Sequence, residues 1–546
     1  MKSKLYIFLF LAFIALTFML GNWGFTDSSE ARYAQIGKEM FVNKDFINPT
    51  LLGIKHFHKP PVTYYLTALG YQIFGMNEFG ARFFMQIALI FQLLLVFKIT
   101  LLLYKNEKIA FAASLIYFSL PISVIAVRTL TTDAYLTTFI LASICFWINY
   151  KQTQRKYLLY LFYLFLGLVF ETKGPVGLIV PLTFVITYKI IYKDKIETSI
   201  HQFFGFLLFL LVSASWYIAA INNNQGLFDY FFNNQLVERI AKNKFNRGKP
   251  IWYYLLIMPL IGLPWLFYLI FYFKGNIKTI LKEKKIDFIL LITLMVLFII
   301  LSISKSKLIL YVLPLYFVLA MFSAKYLSEC SEKNIKTLSN IYTILIGVIT
   351  VSLLALAFFN LNIDFKVNKI YALLVFAFFV SFSLIINKKI ASTNYLKPAY
   401  LGVVFIISII MSSNYLFRDN ELKINSAKPL ALFIQKNATE KPQIIVFNSI
   451  IPALPFYLDQ ETTTIKHKTP TTRREVQFET NNDWMKNLID YYIKEDRDRI
   501  LDIKLERPTY LITRRMDTLP DTLLVFIEKL KYKKEFGKLD LYYNLK

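Results

Sequence analysis

Apolar stretches recur along this chain from residue 5 to residue 416, and most reach the roughly 17–25 residues that carry an α-helix across the core of a bilayer. Nothing else in the sequence restricts the fold as strongly, because a chain in hydrocarbon must satisfy its backbone hydrogen bonds internally. The expected spans are 5–24, 81–104, 109–127, 134–150, 157–171, 175–192, 203–221, 251–273, 286–303, 308–327, 338–359, 367–386 and 396–416, about thirteen helices. Composition agrees: 56% of residues are hydrophobic and 18% charged, against about 45–50% and 25% in a soluble domain. A water-soluble enzyme is excluded. The net charge of +26 is concentrated between apolar runs, which membrane topology explains without nucleic acid as a partner.

Lys2 and Lys4 precede the first run, and no small-x-small cleavage site follows it, so the run is expected to stay as an uncleaved first helix. Lys105 and Lys108, Lys151 to Lys156, Lys189 to Lys195, Lys274 to Lys285, Lys325 to Lys336, and Lys388 with Lys389 fall in alternate loops. The positive-inside rule makes those loops and the N-terminus cytoplasmic. An odd number of spans then leaves the C-terminal segment outside. The expected division is a polytopic domain 1–417 with long outer loops at 25–80 and 222–250, and a small extracytoplasmic α/β domain at 418–546. In the latter, Ile444–Asn448 and Thr509–Thr513 read as strands, and Asp483–Ile493 and Asp521–Leu530 as helices. Cys145 and Cys330 provide no disulfide framework.

The outer loops carry both signs of charge, which topology alone does not require. Asp27-Ser28-Ser29-Glu30-Ala31-Arg32-Tyr33-Ala34 follows the first span. Asp27 can cap a helix with Glu30 completing the box, and Ala31, Ala34, Ile36 and Met40 would give that helix an apolar side on the membrane surface. Equally, either carboxylate can serve as a general base. Lys59 is fixed against Pro60-Pro61 and can present a point charge to a phosphate or snorkel to headgroups. His56 and His58 can join Asp27 or Glu30 around a divalent metal, the one cofactor that the sequence leaves open. Asp133 stands at the mouth of a span, where a carboxylate is costly and so a functional candidate, or else a cap. Glu171-Thr172-Lys173-Gly174-Pro175, Arg239 with Arg247, and Ser304-Lys305-Ser306-Lys307 repeat the pattern of outer polar turns. Cations gathered there suit a diphosphate or phosphodiester headgroup.

The Asp27-to-Ile36 stretch, Leu52-Gly53-Ile54 through Lys59-Pro60-Pro61, Tyr65 to Ala68, Phe74-Gly75, Lys173-Gly174-Pro175, Trp216-Tyr217 and Lys307 to Pro314 occur in one order. Together they resemble bacterial GT-C-fold glycosyltransferases of the aminoarabinose lipid A transferase-like family, distantly related to protein O-mannosyltransferases. The likeness covers about residues 5–330. Two positions depart from the family pattern: Ser29 stands where an Asp is usual, and His58 where a Glu precedes Lys-Pro.

The resemblance implies an inner-membrane enzyme that moves a sugar from a polyprenyl-phosphate donor to a glycolipid such as lipid A, or to a protein hydroxyl, at the outer face, by one inverting displacement. Asp27, Glu30 and Asp133 are the implied catalytic acids. Arg32, Tyr33, Lys59, Lys173, Arg247, Lys307 and Tyr311 are the implied substrate-binding residues, with Lys59, Lys173 and Arg247 on the departing phosphate. A transporter or flippase of a lipid-linked glycan is the alternative. It would carry ionisable groups at mid-span, and the span centres here are nearly free of charge. A receptor merely anchored by its helices would need far fewer of them.

Overall fold

The computed structural model describes residues 1–27, 29–195, 198–232, 248–282, 285–359, 364–467, 476–501, 503 and 505–544. They fall into two compact units: Met1–Leu20, Phe83–Ala219 and Phe228–Leu416 form one, and Gly21–Arg82, Ala220–Leu227 and Phe417–Lys546 form the other.

The first unit is helical, and each expected span coincides with helix. Eight helices among the described residues are long and apolar enough to cross a membrane, or ten if each of two bent pairs is one span. This count differs from thirteen for identifiable reasons, besides Asp133–Thr153, which is a 21-residue helix but is not among the apolar spans. The first helix, Lys2–Thr17, has only 16 residues. Glu107–Ser119 and Pro121–Arg128 are bent by 57°, where Pro121 removes a backbone donor and crowds the preceding turn. Residues 156–192 count once, as a 37-residue stretch, yet the chain reverses within it. Gly174 takes φ +70°, ψ −158°, a conformation almost confined to glycine. A Cβ on Gly177 would lie 2.7 Å from Val169 Cγ1 and 3.1 Å from its carbonyl oxygen. Eight residues of straight helix would hold those positions about 12 Å apart. Lys156–Lys173 and Ile179–Tyr192 are therefore the two arms of a hairpin, as the Lys-Gly-Pro turn suggests.

Several charged groups inside this unit are paired. Arg128 donates to Leu16 O at 2.7 Å and to Asn414 Oδ1, so one of the last carbonyls of the first helix is satisfied by a cation. Lys325 meets Asp287 at 2.6 Å, and the Tyr104 hydroxyl donates to the same carboxylate at 2.8 Å.

The second unit is built on a six-stranded sheet of β3 (Gln443–Phe447), β4 (Thr463–Lys466), β5 (Leu488–Asp490), β6 (Thr509–Arg514), β7 (Tyr532–Phe536) and β8 (Leu539–Tyr543), in the order β5-β4-β3-β6-β8-β7. The first four are parallel and the last two join antiparallel. Ile445, Phe447, Ile465, Leu511, Leu523 and Phe526 form its core. The helix expected at Asp483–Ile493 is instead a 3₁₀ turn, Asp483–Lys486, followed by β5. Leu488 and Ile489 have an open parallel partner in β4, and tertiary pairing overrides a helical spacing that is local and weak.

The same unit contains the helices Ser29–Asn43 and Val62–Phe74 and the short hairpin β1 (Thr50–Leu51) and β2 (Ile54–Lys55). Ala31, Ala34, Ile36 and Met40 are buried as the sequence suggests. Protein covers them, however: Ile36 and Met40 cluster with Leu51, Leu52 and Tyr64. Gly37 permits the close approach, since a Cβ there would lie 2.6 Å from Thr67 Cγ2.

Candidate functional site

In the second unit the motif after the first span divides its two acids. Glu30 turns back, and its Oε2 accepts from the Thr26 N–H and hydroxyl, both at 2.9 Å. Its Oε1 accepts from Arg82 Nε at 2.9 Å. Arg82 also donates to Trp23 O and Gly24 O and lies 4.6 Å from the Trp23 ring. The cap of the helix Ser29–Asn43 is thus built by Thr26 with Glu30, one residue before the Asp27 cap that spacing suggests. Asp27 is released from that role.

The Asp27 N–H donates to Asn425 O at 2.8 Å, while its Oδ1 is buried with no hydrogen-bond partner among the described residues. Burial pushes its pKa up to about 7, against the pull of the Arg514 and Arg32 guanidiniums. A carboxylate poised near neutrality is suited to general-base work. Arg32 Nε is likewise buried without a partner among the described residues. His56 and His58 stack with ring centroids 4.0 Å apart. Burial, with His58 and Arg32 nearby, holds His56 well below its ordinary pKa, so it is neutral. No group of three His, Cys, Asp or Glu side chains among the described residues is placed to hold a metal. Tyr33 packs on Tyr64 at 5.5 Å between ring centroids. Lys59 is half-buried just before Pro60-Pro61, where Pro61 starts the helix Val62–Phe74. Glu39 fixes the β1–β2 turn by accepting from Thr50 Oγ1, Leu52 N–H and Gly53 N–H.

In the helical unit, Lys173 ends its helix and Asp133 begins Asp133–Thr153. Lys173 Nζ lies 2.5 Å from Asp133 Oδ1 and 4.1 Å from the Tyr311 ring centroid. These three residues, distant in sequence, form one cation site with an aromatic wall. Close by in sequence, Glu171 is buried and accepts from Trp216 N–H at 3.3 Å. Lys307 is buried, with its ammonium on Lys249 O at 3.2 Å and on Ser304 O. It ties the turn before Ile309–Leu315 to residues 248–250, where Gly248 and Ser306 form a bridge. Arg239 and Arg247 lie outside the described residues.

Arg82 and Arg514 are absent from the sequence reading. Arg82 had a signal, since an arginine at the head of an apolar run is costly unless paired. Arg514 had none.

Residues 58–218 match the family model described as dolichyl-phosphate-mannose-protein mannosyltransferase. The chain is 32% identical over 341 residues to an undecaprenyl phosphate-alpha-4-amino-4-deoxy-L-arabinose arabinosyl transferase of Proteus mirabilis, a match covering 61% of each. It is 27% identical over 440 residues to the transferase of that name from Wigglesworthia glossinidia brevipalpis, covering 77% of this chain and 76% of the relative. The aligned stretch thus spans about three fifths of the Proteus relative's length. Its fold is that of ArnT from Cupriavidus metallidurans crystallised with undecaprenyl phosphate, with a TM-score of 0.76 at 17% identity, covering 100% of this chain and 98% of that one. The chain is thus similar to the aminoarabinose transferases in sequence over about three fifths of its length, shares the fold of ArnT, and matches the mannosyltransferase family model at residues 58–218.

Proposed function

We propose that this protein is an integral membrane glycosyltransferase that moves a sugar from a polyprenyl-phosphate donor to an acceptor at the outer face of the bacterial inner membrane. The observation that carries the reading is the Asp133–Lys173–Tyr311 constellation, which brings a buried ion pair against an aromatic ring at a glycine-enforced helix reversal. Lys173 and Asp133 fall inside the stretch matched by the mannosyltransferase family model. The relatives' names, and the undecaprenyl phosphate named for the structure that shares the fold, support a lipid-phosphate donor.

In this mechanism Lys173 stabilises the prenyl phosphate as negative charge grows on it, and Asp133 fixes the ammonium's position. Lys59 and Arg247 are assigned to the same leaving group, and Arg32, Tyr33, Lys307 and Tyr311 to substrate binding or its support. Asp27 takes the acceptor's proton, and a single displacement inverts the anomeric carbon. Glu30 is assigned a structural role, because it is engaged by Arg82 and Thr26. Residues 1–417 form the membrane transferase part, with a cytoplasmic N-terminus, and 418–546 an outer domain. The acceptor assigned in this reading is a glycolipid of the lipid A type. The test is transfer by purified protein in detergent from a defined polyprenyl-phosphate sugar to a lipid A extract. No transfer from any such donor removes the proposal.

A further inference from the structure

The C-terminal sheet stacks three rings across its strands. Tyr510 on β6, Tyr543 on β8 and Tyr532 on β7 are direct cross-strand partners, so their side chains leave the same face of the sheet. Tyr510 and Tyr543 stack with ring centroids 5.6 Å apart and planes 10° apart, and Tyr543 and Tyr532 at 5.3 Å and 27°. The inner end of the stack, Tyr510, is wholly buried, while Tyr532, on the last strand, is 46% exposed. One face of Tyr532 meets Tyr543. The other looks past the edge of the sheet, because β7 pairs with β8 alone. Lys534, two residues on and therefore on the same face, holds its ammonium 4.1 Å from the Phe433 ring centroid and 5.6 Å from that of Phe536. Phe433, from the helix Lys428–Asn437, packs on Tyr543 at 5.6 Å and on Phe536 at 5.4 Å. The cluster that supports the stack thus also places this cation.

The charges of this edge are unevenly used. Lys533 binds Asp540 at 2.8 Å, and Glu535 binds Arg515 at 2.7 Å. Lys531 and Lys534 are exposed and enter no ion pair among the described residues. An uncovered aromatic face on an open strand edge invites an occupant. A second copy of β7 fits poorly, since edge pairing would set the lysines of one copy against those of the other. A pyranose ring with an anionic substituent fits well: its C–H face continues the stack, its hydroxyls meet the unpaired amides and carbonyls of the edge, and Lys534 meets the anion. We propose that the Tyr532 edge of the C-terminal sheet is a binding site for a phosphorylated saccharide, through which the headgroup of the acceptor glycolipid is held. The link to the acceptor rests on the transfer reaction proposed above; the saccharide site itself does not.

The experiment is saturation-transfer NMR on the full chain in detergent. The probe is a glucosamine disaccharide phosphorylated at both ends and without acyl chains, compared with the unphosphorylated disaccharide and with inorganic phosphate. Wild type saturates the sugar C–H protons and binds the phosphorylated probe more tightly than the neutral one. Tyr532→Ala weakens that binding roughly 2–12-fold, the scale of one aromatic contact, and Tyr532→Trp keeps it. Lys534→Ala or 1 M salt removes the preference for the phosphorylated probe. Tyr492→Ala, an exposed tyrosine just beyond β5 at the opposite edge of the sheet, leaves binding in place. Equal binding by wild type and Tyr532→Ala overturns the proposal, as does an equal loss in Tyr492→Ala. A wild-type dimer that Tyr532→Ala separates, with sugar binding unchanged, overturns it in favour of a second copy. In the transfer assay Tyr532→Ala raises KM for the glycolipid and leaves kcat in place, as loss of uniform binding does; an unchanged KM overturns the assignment to the acceptor. Saccharide binding that depends on Tyr532, alongside no transfer from any donor, leaves this site standing and removes the donor reading instead.

Discussion

Arg82 Nε lies 2.9 Å from Glu30 Oε1, and neither side chain reaches solvent. The pair separates the two acids of the first motif: Glu30 holds the loop together, and Asp27 Oδ1 has no hydrogen-bond partner among the described residues. Breaking a buried pair by removing one member costs roughly 3–5 kcal/mol, while replacing both can be neutral. Glu30→Gln and Arg82→Met should each lower the thermal midpoint in detergent sharply, and the double variant should lose less than the two losses added. Single variants as stable as wild type would return Glu30 to the list of catalytic candidates.

Asp27→Asn should keep its fold and lose transfer by about 10²–10⁴-fold, the usual contribution of a general base. Its stability should rise rather than fall. A carboxyl whose pKa goes from 3.8 to about 7 on folding costs stability above the lower value, because the unfolded chain ionises first. The stabilisation of Asp27→Asn should therefore grow between about pH 4 and pH 7 and then level off. Thermal midpoints across that range check the sign, and a midpoint that drops would show that the carboxylate is a structural partner.

Lys173→Ala and Lys59→Ala should each weaken transfer by roughly 10–150-fold, since a charge-assisted hydrogen bond contributes about 1.5–3 kcal/mol. Lys538→Ala is the control. Lys173→Arg should recover only part, because a planar fork does not replace a compact ammonium between Asp133 and the Tyr311 ring. Asp133→Asn should combine with Lys173→Ala less than additively in a double-mutant cycle, as residues in direct contact do. Full additivity would mean that the 2.5 Å pair does not act as a unit.

Gly174→Ala should destabilise the protein by about 1–3 kcal/mol, the cost of forcing a side chain into that backbone region. Pro175→Ala, in the same turn, should be much milder. Comparable thermal midpoints for the two would mean that the hairpin does not depend on the glycine.

A reporter active only outside the cytoplasm should work when fused after residue 546 and fail when inserted at 284, following the basic loops. Activity at both positions, or at neither, would mean that an even number of spans lies between them and would remove the proposed topology.

The helices of the first unit were legible because apolar length is a local property, and each expected span overlaps an observed helix. Their number as membrane crossings was less so, because Pro121 and Gly174 bend or reverse the chain inside apolar stretches. In the sheet, β3 and β6 were legible as short runs rich in β-branched and aromatic residues, while β5, only Leu488–Asp490, exists because β4 offers it a partner. The site divides in the same way. Lys173 and Asp133 were each visible as costly charges at span ends, but not their contact across 40 residues of sequence. Asp27 was visible as an acid, whereas its release from capping depends on Glu30 choosing Thr26, a difference of one residue that spacing rules do not resolve. Arg514 was invisible, since nothing local separates it from the other arginines beyond residue 417.

Gly24 N–H donates to Glu421 Oε1 and Phe25 N–H to the Tyr457 hydroxyl, ties that span 397 and 432 residues of sequence. At about 5–20 residues per second of synthesis, the ribosome needs on the order of 20–80 seconds after making Gly24 to make Glu421, and every intervening helix must be inserted in that interval. Until the segment beyond residue 417 has been made, the backbone at residues 24–27 lacks the partners that hold it. A nascent chain stalled anywhere before residue 421 is therefore expected to lack the proposed transfer activity, which the order of biogenesis would reserve for the finished chain.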